Sequence, residues 1–554
     1  MKFSKKLLSQ TITQLCLLHE VDHVVISPGS RNAALTIGFI GHPKFKNFSI
    51  VDERCAAFFA LGMAQQLKKP VAIVCTSGSA LLNYYPAVAE AFYSDIPLVI
   101  ISADRPAKLV EIGDGQTICQ ENVYANHILY SANCKEGDQY QSFNETVVVT
   151  ALKIATEQYG PVHINAPFSE PLYETVSTSQ VDLSGILTES ISKDFNDDLS
   201  SFEKKWNQST KKMVMVGVLA PGSLEQQIID LLGADESVIV LTETTSNLHH
   251  ENFFPAIDQL IAPLDNAGFE SLRPDLLLTF GGMVVSKKIK AFLRAYAPKE
   301  HWHIDAKKAY DTFFCLKHHF ITNPAYFFNK FSVNYELKNS SYRSDWVKVR
   351  EHRIEEHLKY NKEVPFSDFK VFSEIFKSLP RQIQLQLSNS ATIRYAQLFD
   401  LDASLKVFCN RGTSGIDGST STAIGAAFAS ELPTVFVTGD VSFLYDSNAL
   451  WNNYIPNDFR IIVVNNNGGG IFRILPGAKE TDQFNQFFET PHGYSGLYLC
   501  KMHNIEYTSA SDMESLQQEL KEFYNASNKP KLLEIFTPSE INDTVLLEYF
   551  NFIK

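Results

Sequence analysis

The stretch that decides the fold lies between residues 434 and 470, and it reads TVFVTGDVS at 434–442 and RIIVVNNNGGG at 460–470. Each half is a short apolar run that ends in polar residues and glycines. Apolar runs without in–out alternation are typical of parallel strands that are covered on both faces. The separation of the two runs fits one strand–helix–strand crossover. Both polar clusters are therefore predicted at the carboxyl edge of neighbouring strands, where open α/β sheets bind ligands.

The residues at this edge suit a diphosphate with a hard cation. Asp440 offers a carboxylate and Asn466 an amide oxygen, while glycine at position 468 allows the backbone to turn a carbonyl inward. Oxygen ligands combined with substrate phosphates are what Mg²⁺ prefers. The alternative is a pair of ordinary turns, because Gly-Asp and Asn-Gly are common turn dipeptides. The presence of both clusters, each after a buried strand, favours the metal site.

This Gly-Asp…Asn-Asn pattern resembles the thiamine diphosphate motif. The resemblance implies that Asp440, Asn466 and the carbonyl of Gly468 hold Mg²⁺, with Mn²⁺ as a substitute. It also implies an α/β fold of three doubly wound parallel-sheet domains, of the type found in thiamine diphosphate-dependent decarboxylases. The expected domains are a pyrimidine-binding domain (1–185), a central domain (190–345) and a diphosphate- and metal-binding domain (350–554).

The rest of the chain agrees with three α/β units, since 554 residues suffice for about three or four domains. Buried strands are predicted at His23–Ile26, Val71–Cys75 and Ile96–Ser102. A polar linker is predicted at Thr175–Asp198. A charged, poorly periodic segment from Glu336 to Pro365 precedes the third unit.

Charge and composition exclude several classes of protein. The chain has 49 Lys and Arg against 62 Asp and Glu, a net charge of −13, which argues against nucleic-acid and membrane partners. No run approaches 18 apolar residues. Polar residues such as Gln10 and Thr13 interrupt the N-terminal stretch, which favours an amphipathic first helix over a signal peptide. Eight scattered cysteines favour a reduced, cytoplasmic protein.

Glu53 is the candidate catalytic acid of the first unit. It lies between a strand-like segment at Phe48–Ile50 and an alanine-rich helix from Ala56 to Gln66. The resemblance implies that this glutamate shares a proton with the aminopyrimidine ring of the cofactor and so helps to form the ylid. The alternative is an acid that merely stabilises the start of a helix.

The resemblance also implies the other residues that contact the cofactor. Ile416 matches the bulky apolar residue that holds the cofactor bent. The remaining candidates for cofactor contact are Ser77, Gly78, Asn83, Ser390, Ser414, Gly415, Val441, Ser442, Gly470, Ile471 and Phe472.

Four segments identify a narrower family. ISPGSRN at 26–32, SADRP at 102–106, GDGQ at 113–116 and NRGTSGIDG at 410–418 resemble the 2-succinyl-5-enolpyruvyl-6-hydroxy-3-cyclohexene-1-carboxylate synthases of menaquinone biosynthesis. The resemblance implies a substrate-binding set of Ser30, Arg31, Arg105, Gln116, Lys287, Asn389, Arg394 and Arg411. Arginine forks bind carboxylates in a bidentate manner, and both substrates of the family are dicarboxylates. For any one arginine, the alternative is a surface salt bridge.

The activity implied is that of a transferase. It decarboxylates 2-oxoglutarate and adds the succinyl carbanion to isochorismate by 1,4-addition, in a homodimer or homotetramer with shared active sites. Val441 departs from the glycine usual in the motif, at a position that is not a metal ligand. Asp114 places an acid beside the expected carboxylate site, which would weaken substrate binding if its side chain points inward.

Two other functions stay open on the sequence alone. One is a different enzyme of the superfamily, such as an acetolactate synthase or a simple 2-oxoacid decarboxylase, which would act on small monocarboxylates. The other is a non-catalytic module that binds a metabolite on an α/β scaffold. The intact Glu53, Asp440 and Asn466 argue against the second.

Overall fold

The computed structural model describes residues 2–183, 197–474 and 482–554. Three parallel sheets, each with helices packed on both faces, confirm the predicted α/β class. The boundary predicted at 185–190 and most of the predicted linker lie outside the described residues.

The first domain contains strands β1 to β8. Their bounds are β1 (Phe3–Ser4), β2 (His23–Ile26), β3 (Lys46–Ser49), β4 (Val71–Cys75), β5 (Leu98–Asp104), β6 (Tyr130–Asn133), β7 (Val162–Pro167) and β8 (Thr175–Val176). Six of them form a parallel sheet in the order β3-β2-β4-β5-β7-β6, while β1 and β8 pair antiparallel beside it. The predicted strands at 23–26 and 71–75 are confirmed, and the third begins two residues later than predicted.

Helices cover both faces of this sheet. They are α1 (Leu7–Leu18), α2 (Ala33–Ile40), α3 (Glu53–Leu67), α4 (Ser79–Asn83), α5 (Tyr85–Ser94) and α6 (Gln141–Gln158). The predicted first helix is confirmed, but it is buried on more than one side, since the polar residues Ser9, Gln10 and Thr13 are covered as well as Ile12. Its polar side chains are satisfied by hydrogen bonds, such as that from the Ser9 hydroxyl to the Ala34 carbonyl.

The middle domain has a five-stranded parallel sheet. Its strands are β9 (Lys212–Val216), β10 (Val238–Leu241), β11 (Leu276–Phe280), β12 (Glu300–Ile304) and β13 (His318–Phe320), in the order β10-β9-β11-β12-β13. Its helices are α7 (Ser200–Gln208), α8 (Gln226–Ala234), α9 (Ile257–Ile261), α10 (Asn266–Leu272), α11 (Lys287–Ala295) and α12 (Pro324–Phe331).

A single helix, α13 (Ser341–Glu363), occupies the segment that the sequence indicated as poorly periodic. Its buried side includes Tyr342, Trp346, Arg353, His357 and Tyr360, which follow helical spacing. The hydrophobic pattern is weak because an arginine and a histidine occupy buried positions: Arg353 binds the carbonyls of the last two residues, and His357 lies 2.8 Å from the Tyr549 hydroxyl.

The third domain repeats the architecture of the first. Its strands are β14 (Gln384–Leu387), β15 (Lys406–Cys409), β16 (Thr434–Gly439), β17 (Arg460–Asn465), β18 (Glu506–Ala510) and β19 (Lys531–Phe536), in the order β15-β14-β16-β17-β19-β18. Its helices are α14 (Asp368–Ser378), α15 (Ala391–Ala396), α16 (Ser419–Ala429), α17 (Asp440–Tyr445), α18 (Leu497–Met502), α19 (Met513–Phe523) and α20 (Asn542–Phe552). The strands predicted from the TVFVTGDVS and RIIVVNNNGGG segments are confirmed as β16 and β17.

The first and third domains share one apolar core through the crossing of α3 and α16. A Cβ atom on Gly62 would lie 2.0 Å from the Thr422 carbonyl, and one on Gly425 would lie 2.0 Å from the Phe59 carbonyl. The two helices therefore approach so closely that only glycine fits at the crossing. Buried Asp446 joins the same region, because it accepts hydrogen bonds from the backbone and hydroxyl of Ser421.

All eight cysteines are free, and six of them are buried. Within the described parts of the chain, every helix is too short or too polar to traverse a lipid bilayer.

Candidate active site

The carboxyl ends of β16 and β17 place Asp440 beside Gly468, because the two strands are adjacent and parallel. The Asp440 carboxylate accepts hydrogen bonds from the Val441 backbone at 2.8 Å and from the Gly468 backbone at 2.9 Å. Gly468 has a φ of +148°, and a Cβ atom there would lie 2.6 Å from the Glu489 carbonyl. The loop thus needs glycine, and the two predicted halves of the motif meet.

Asn466 completes this edge with a side-chain oxygen atom. Its Nδ2 donates to the Asp368 carboxylate at 2.8 Å, whereas its buried Oδ1 has no hydrogen-bond partner among the described residues. The Gly468 carbonyl accepts a hydrogen bond from the Gly470 backbone at 3.0 Å, and a carbonyl oxygen has a second lone pair. A carboxylate, an unpaired amide oxygen and a carbonyl are oxygen ligands that fit Mg²⁺ together with a diphosphate.

His492 is a neighbour of this site that the sequence did not indicate. Its Nε2 lies 3.2 Å from the Asp440 carboxylate, and this contact raises the pKa of His492. The only sequence signal was a histidine two residues before a tyrosine, which is not a motif. Its distance along the chain from Asp440 hides the contact.

Hydrogen bonds connect the loop after β15 to α17 and to the residues just before α15. The Ser442 hydroxyl donates to the Ile416 carbonyl at 2.7 Å. The Asn389 amide donates to the Gly415 carbonyl at 2.7 Å and accepts from the Arg411 guanidinium at 2.7 Å.

Two serines in these loops adopt left-handed backbone conformations. Ser390 has a φ of +68° and Ser414 a φ of +61°. Such residues cluster at binding sites, where the surroundings hold a strained backbone in place.

A cluster of cations from two domains lies beside this loop. Burial and the nearby Arg411 lower the pKa of Arg394. The charge of Asp258 in the middle domain partly offsets this shift. Burial lowers the pKa of Lys290 on α11. The charge of the nearby Glu243 opposes this shift, and the charge of Arg411 adds to it. The predicted Lys287 begins the same helix, with an exposed side chain. The middle domain thus brings charged groups to the predicted substrate residues.

Glu243 holds the start of α11 in place. Its carboxylate is fully buried and accepts hydrogen bonds from the Val285 backbone at 2.7 Å and from the Ser286 backbone at 2.7 Å. Burial raises the pKa of Glu243 to about 7, although these hydrogen bonds and Arg411 oppose the shift. The Ser286 hydroxyl also donates to Asp258. The helix that begins at Lys287 is therefore fixed by two buried acids.

The first domain contributes a second pair of arginines. Arg31 donates to the Phe168 carbonyl at 2.9 Å and lies 3.3 Å from Glu170. Burial and the nearby charge of Arg105 lower the pKa of Arg31. The Arg105 guanidinium lies 3.5 Å from the Asp114 carboxylate, so this acid does point toward the arginine that we expect to bind substrate.

The loops around Ser77 and Gly78 lie at the same edge of the first sheet. The Ser77 hydroxyl donates to the Gln116 carbonyl at 2.9 Å, and the Gly78 backbone, with a φ of +87°, donates to the Gln120 side chain at 3.0 Å. Glu53 is half-buried at the start of α3. Burial raises the pKa of Cys75 at the end of β4, and the charge of the nearby Glu53 adds to this shift.

The remaining predicted residues lie next to these groups. Ser30, Asn83 and the Gln116 side chain are exposed in the first domain. Gly470, Ile471 and Phe472 form a half-buried 3₁₀ turn next to Asn466.

The candidate residues form two sets, one on the first domain and one mainly on the third domain. The first-domain set contains Glu53, Ser77, Gly78, Arg31 and Arg105. The other set lies on the third domain, with Lys287 from the middle domain. In the part of the chain that the structure describes, no hydrogen bond or ion pair connects a residue of one set to a residue of the other.

Glu90 is a further residue that the sequence did not reveal. This buried acid on α5 of the first domain accepts from the backbones of Gly412 and Thr413, each at 2.7 Å. It therefore fixes the loop that carries Arg411 from 322 residues away along the chain.

The fold is shared with a solved enzyme of low sequence similarity. The chain superposes on benzoylformate decarboxylase from Polynucleobacter necessarius with a TM-score of 0.72 over 97% of this chain and 99% of that one, at 15% identity. At this identity the likeness concerns the fold alone.

Sequence comparison defines the class and then the family. Three family models match in order: the thiamine pyrophosphate enzyme N-terminal TPP binding domain (7–127), the middle domain of thiamine pyrophosphate enzymes (194–387) and the C-terminal TPP binding domain (390–535). The chain is therefore a thiamine pyrophosphate enzyme. It is 55% identical over its whole length to a protein of Christiangramia forsetii and 54% identical over 99% to one of Flavobacterium psychrophilum, covering 100% and 99% of those proteins. Both are named 2-succinyl-5-enolpyruvyl-6-hydroxy-3-cyclohexene-1-carboxylate synthase, and the chain belongs to that family.

Proposed function

We propose that this enzyme decarboxylates 2-oxoglutarate and adds the resulting succinyl carbanion to isochorismate, giving 2-succinyl-5-enolpyruvyl-6-hydroxy-3-cyclohexene-1-carboxylate and CO₂ for menaquinone biosynthesis. The observation that carries the proposal is the joint presence of oxygen atoms suited to a metal at Asp440 and Asn466 and of four arginines at the edges of the first and third sheets. Small monocarboxylates would not need so many guanidinium groups.

Asp440, Asn466 and Gly468 would hold Mg²⁺, or Mn²⁺ in its place. The unpaired Oδ1 of Asn466 supports this ligand set. Thiamine diphosphate, when bound there, supplies the electron sink that decarboxylation of a 2-oxoacid requires. The Ile416 side chain, fixed through its own carbonyl by Ser442, would support the bent cofactor.

Glu53 would exchange a proton with a ring nitrogen of the aminopyrimidine. Its position at the start of α3 keeps the carboxylate half-buried beside the end of β4. A carboxylic acid in such surroundings can act as a general acid and base. The loop at Ser77 and Gly78 would contact the same ring.

The arginines would neutralise and orient the substrate carboxylates. Arg394 and Arg411 lie close enough to affect each other electrostatically, as do Arg31 and Arg105. Ser30, Gln116, Lys287 and Asn389 would complete the substrate contacts. Holding both carboxylates in fixed positions reduces the entropy lost in bringing the two substrates together.

The active site would be shared between two copies of the chain, in a homodimer or a homotetramer of such dimers. This is supported by the two sets of site residues, which one chain leaves unconnected. Glu53 of one copy would then face the diphosphate held by Asp440 of the other. A cytoplasmic location remains a prediction.

The test is incubation of the protein with thiamine diphosphate, Mg²⁺, 2-oxoglutarate and isochorismate, with the product identified by mass. We expect the succinylated product and one CO₂ per turnover. Efficient turnover of pyruvate without turnover of 2-oxoglutarate would instead identify a small-substrate decarboxylase or an acetolactate synthase. Binding of the cofactor without release of CO₂ would identify a non-catalytic module.

A further inference from the structure

The two ends of the Asn466 side-chain amide have different environments. The Nδ2 end donates to Asp368 at 2.8 Å, and the Oδ1 end is buried without a partner among the described residues. An amide that rotated by half a turn would present two N–H donors where Oδ1 now lies. Such an orientation would repel a cation, so the site requires something that fixes the amide.

Asp368 is placed to fix the orientation of the Asn466 amide. Its side chain is buried, and its two carboxylate oxygens have different partners: one accepts from the Thr537 hydroxyl at 2.6 Å and the other from Asn466. Its backbone N–H donates to the Asn542 side chain at 2.8 Å, which anchors the first turn of α14 to α20. An ionised carboxylate only accepts hydrogen bonds, so it can pair with Nδ2 and not with Oδ1.

We infer that Asp368 is a positioning residue that holds the Asn466 amide with Oδ1 turned toward the metal. Because Thr537 and Asn466 engage its two carboxylate oxygens, Asp368 would act on the metal through Asn466, as carboxylates that orient the ligands of other metal sites do. The inference rests on the proposed function, because it presupposes that Mg²⁺ binds at Asp440 and Asn466.

The decisive measurement is the affinity for Mg²⁺ during thiamine diphosphate binding, followed by calorimetry without turnover. Four proteins form a double-mutant cycle: wild type, Asp368→Asn, Asn466→Ala and the double variant. We expect Asp368→Asn to lower the Mg²⁺ affinity on the order of tenfold, within the range known for residues behind metal ligands. In the Asn466→Ala background, the same change should have no further effect.

The controls separate orientation from charge and from folding. Asp446→Asn removes an equally buried carboxylate of the same domain that does not contact Asn466, and it should leave the Mg²⁺ affinity unchanged. Thr537→Val leaves the charge of Asp368 in place but removes one of its two side-chain partners, and it should lower the affinity about threefold, as expected for one weakened hydrogen bond. If Asp368→Asn does not fold, this variant decides the question, and an unchanged affinity would overturn the inference.

Two other results would also overturn it. One is an Asp368→Asn variant that binds Mg²⁺ as tightly as the wild type. The other is an equal loss in the presence and absence of the Asn466 side chain, because that would be the effect of a remote charge. A wild-type protein that binds thiamine diphosphate without any need for Mg²⁺ would overturn the proposed function itself, which distinguishes the two failures.

Discussion

The first and third domains have the same sheet but different chemistry at its carboxyl edge. Both sheets place their strands in the spatial order second, first, third, fourth, sixth, fifth. The third strand leads to Ser77 and Gly78 in one domain and to Asp440 in the other. The fourth leads to Arg105 in one and to Asn466 in the other. The topology thus supplies a ligand-binding edge twice, and the residues at the strand ends decide what each edge binds.

The largest expected effect separates the roles of these two edges. Asp440→Ala removes the proposed metal ligand, so we expect the affinity for thiamine diphosphate with Mg²⁺ to fall on the order of 100-fold. Glu53→Gln should keep this affinity while kcat falls on the order of 10² to 10⁴-fold, since a general acid–base group is lost. Calorimetry and steady-state kinetics measure the two effects.

Mixing these two variants tests whether the edges belong to different copies. In a hybrid dimer with shared sites, one site carries both substitutions and the other carries neither. We therefore expect mixed samples to regain part of the wild-type activity after subunit exchange. Activity that stays at the level of the separate variants would contradict a shared site.

The next effect concerns the middle domain, which supports the edge of the third domain through Glu243. Burial raises the pKa of this carboxyl from 4.5 to about 7, so the folded state binds its proton more tightly than the unfolded state does. The contribution of Glu243 to stability is therefore largest below pH 4.5, and it falls as the pH rises to 7. Glu243→Gln removes this dependence.

The stability of the Gln variant relative to wild type should accordingly increase by roughly 3 kcal/mol between pH 4.5 and pH 8. Denaturant unfolding of both proteins at each pH gives this difference, in which the other titrating groups cancel. A constant difference between the two proteins would show that Glu243 is already ionised at low pH. The Michaelis constant of the variant should also rise, because the start of α11 loses an acceptor.

A smaller effect is expected where the two domains touch. Alanine in place of glycine normally favours a helix. However, Gly62→Ala on α3 would place a Cβ atom 2.0 Å from the Thr422 carbonyl, and Gly425→Ala on α16 would meet the Phe59 carbonyl at the same distance. We expect each change to lower the free energy of unfolding by about 2 kcal/mol.

The matched control is Gly493→Ala, since a Cβ atom there would meet nothing within 4 Å. Its unfolding free energy should stay close to that of the wild type. A similar loss in all three variants would contradict the idea that α3 and α16 need glycine at their crossing.

The sequence predicted what is local and missed what is distant. The apolar run at β17 and the asparagines after it lie together in the chain, so the sequence indicated both the strand, which is confirmed, and the candidate ligand Asn466, which stays a prediction. The residues that fix the candidate site and its loops could not be predicted, because Asp368 lies 98 residues from Asn466 and Glu90 lies 322 residues from Gly412. A buried acid with a distant partner leaves no periodic signal in the sequence, because the hydrogen bonds that stabilise it form only in the folded chain. For the same reason, hydrophobic periodicity did not predict α13, because its buried side contains Arg353 and His357.

The smallest effect distinguishes the edge of the first domain from that of the third. Arg105 of the first domain has a neighbouring acid in its own substrate loop, Asp114 at 3.5 Å. A partly exposed pair of this kind contributes at most about 1 kcal/mol. Asp114→Asn should free the guanidinium for a substrate carboxylate, so we expect the Michaelis constant to fall by about two- to fivefold with kcat unchanged. The gain should shrink at high salt, because salt screens the attraction. Glu111→Gln removes the same charge from the same loop and should have little effect. If Asp114→Asn raised the Michaelis constant instead, Asp114 would be a support for Arg105 and not its competitor.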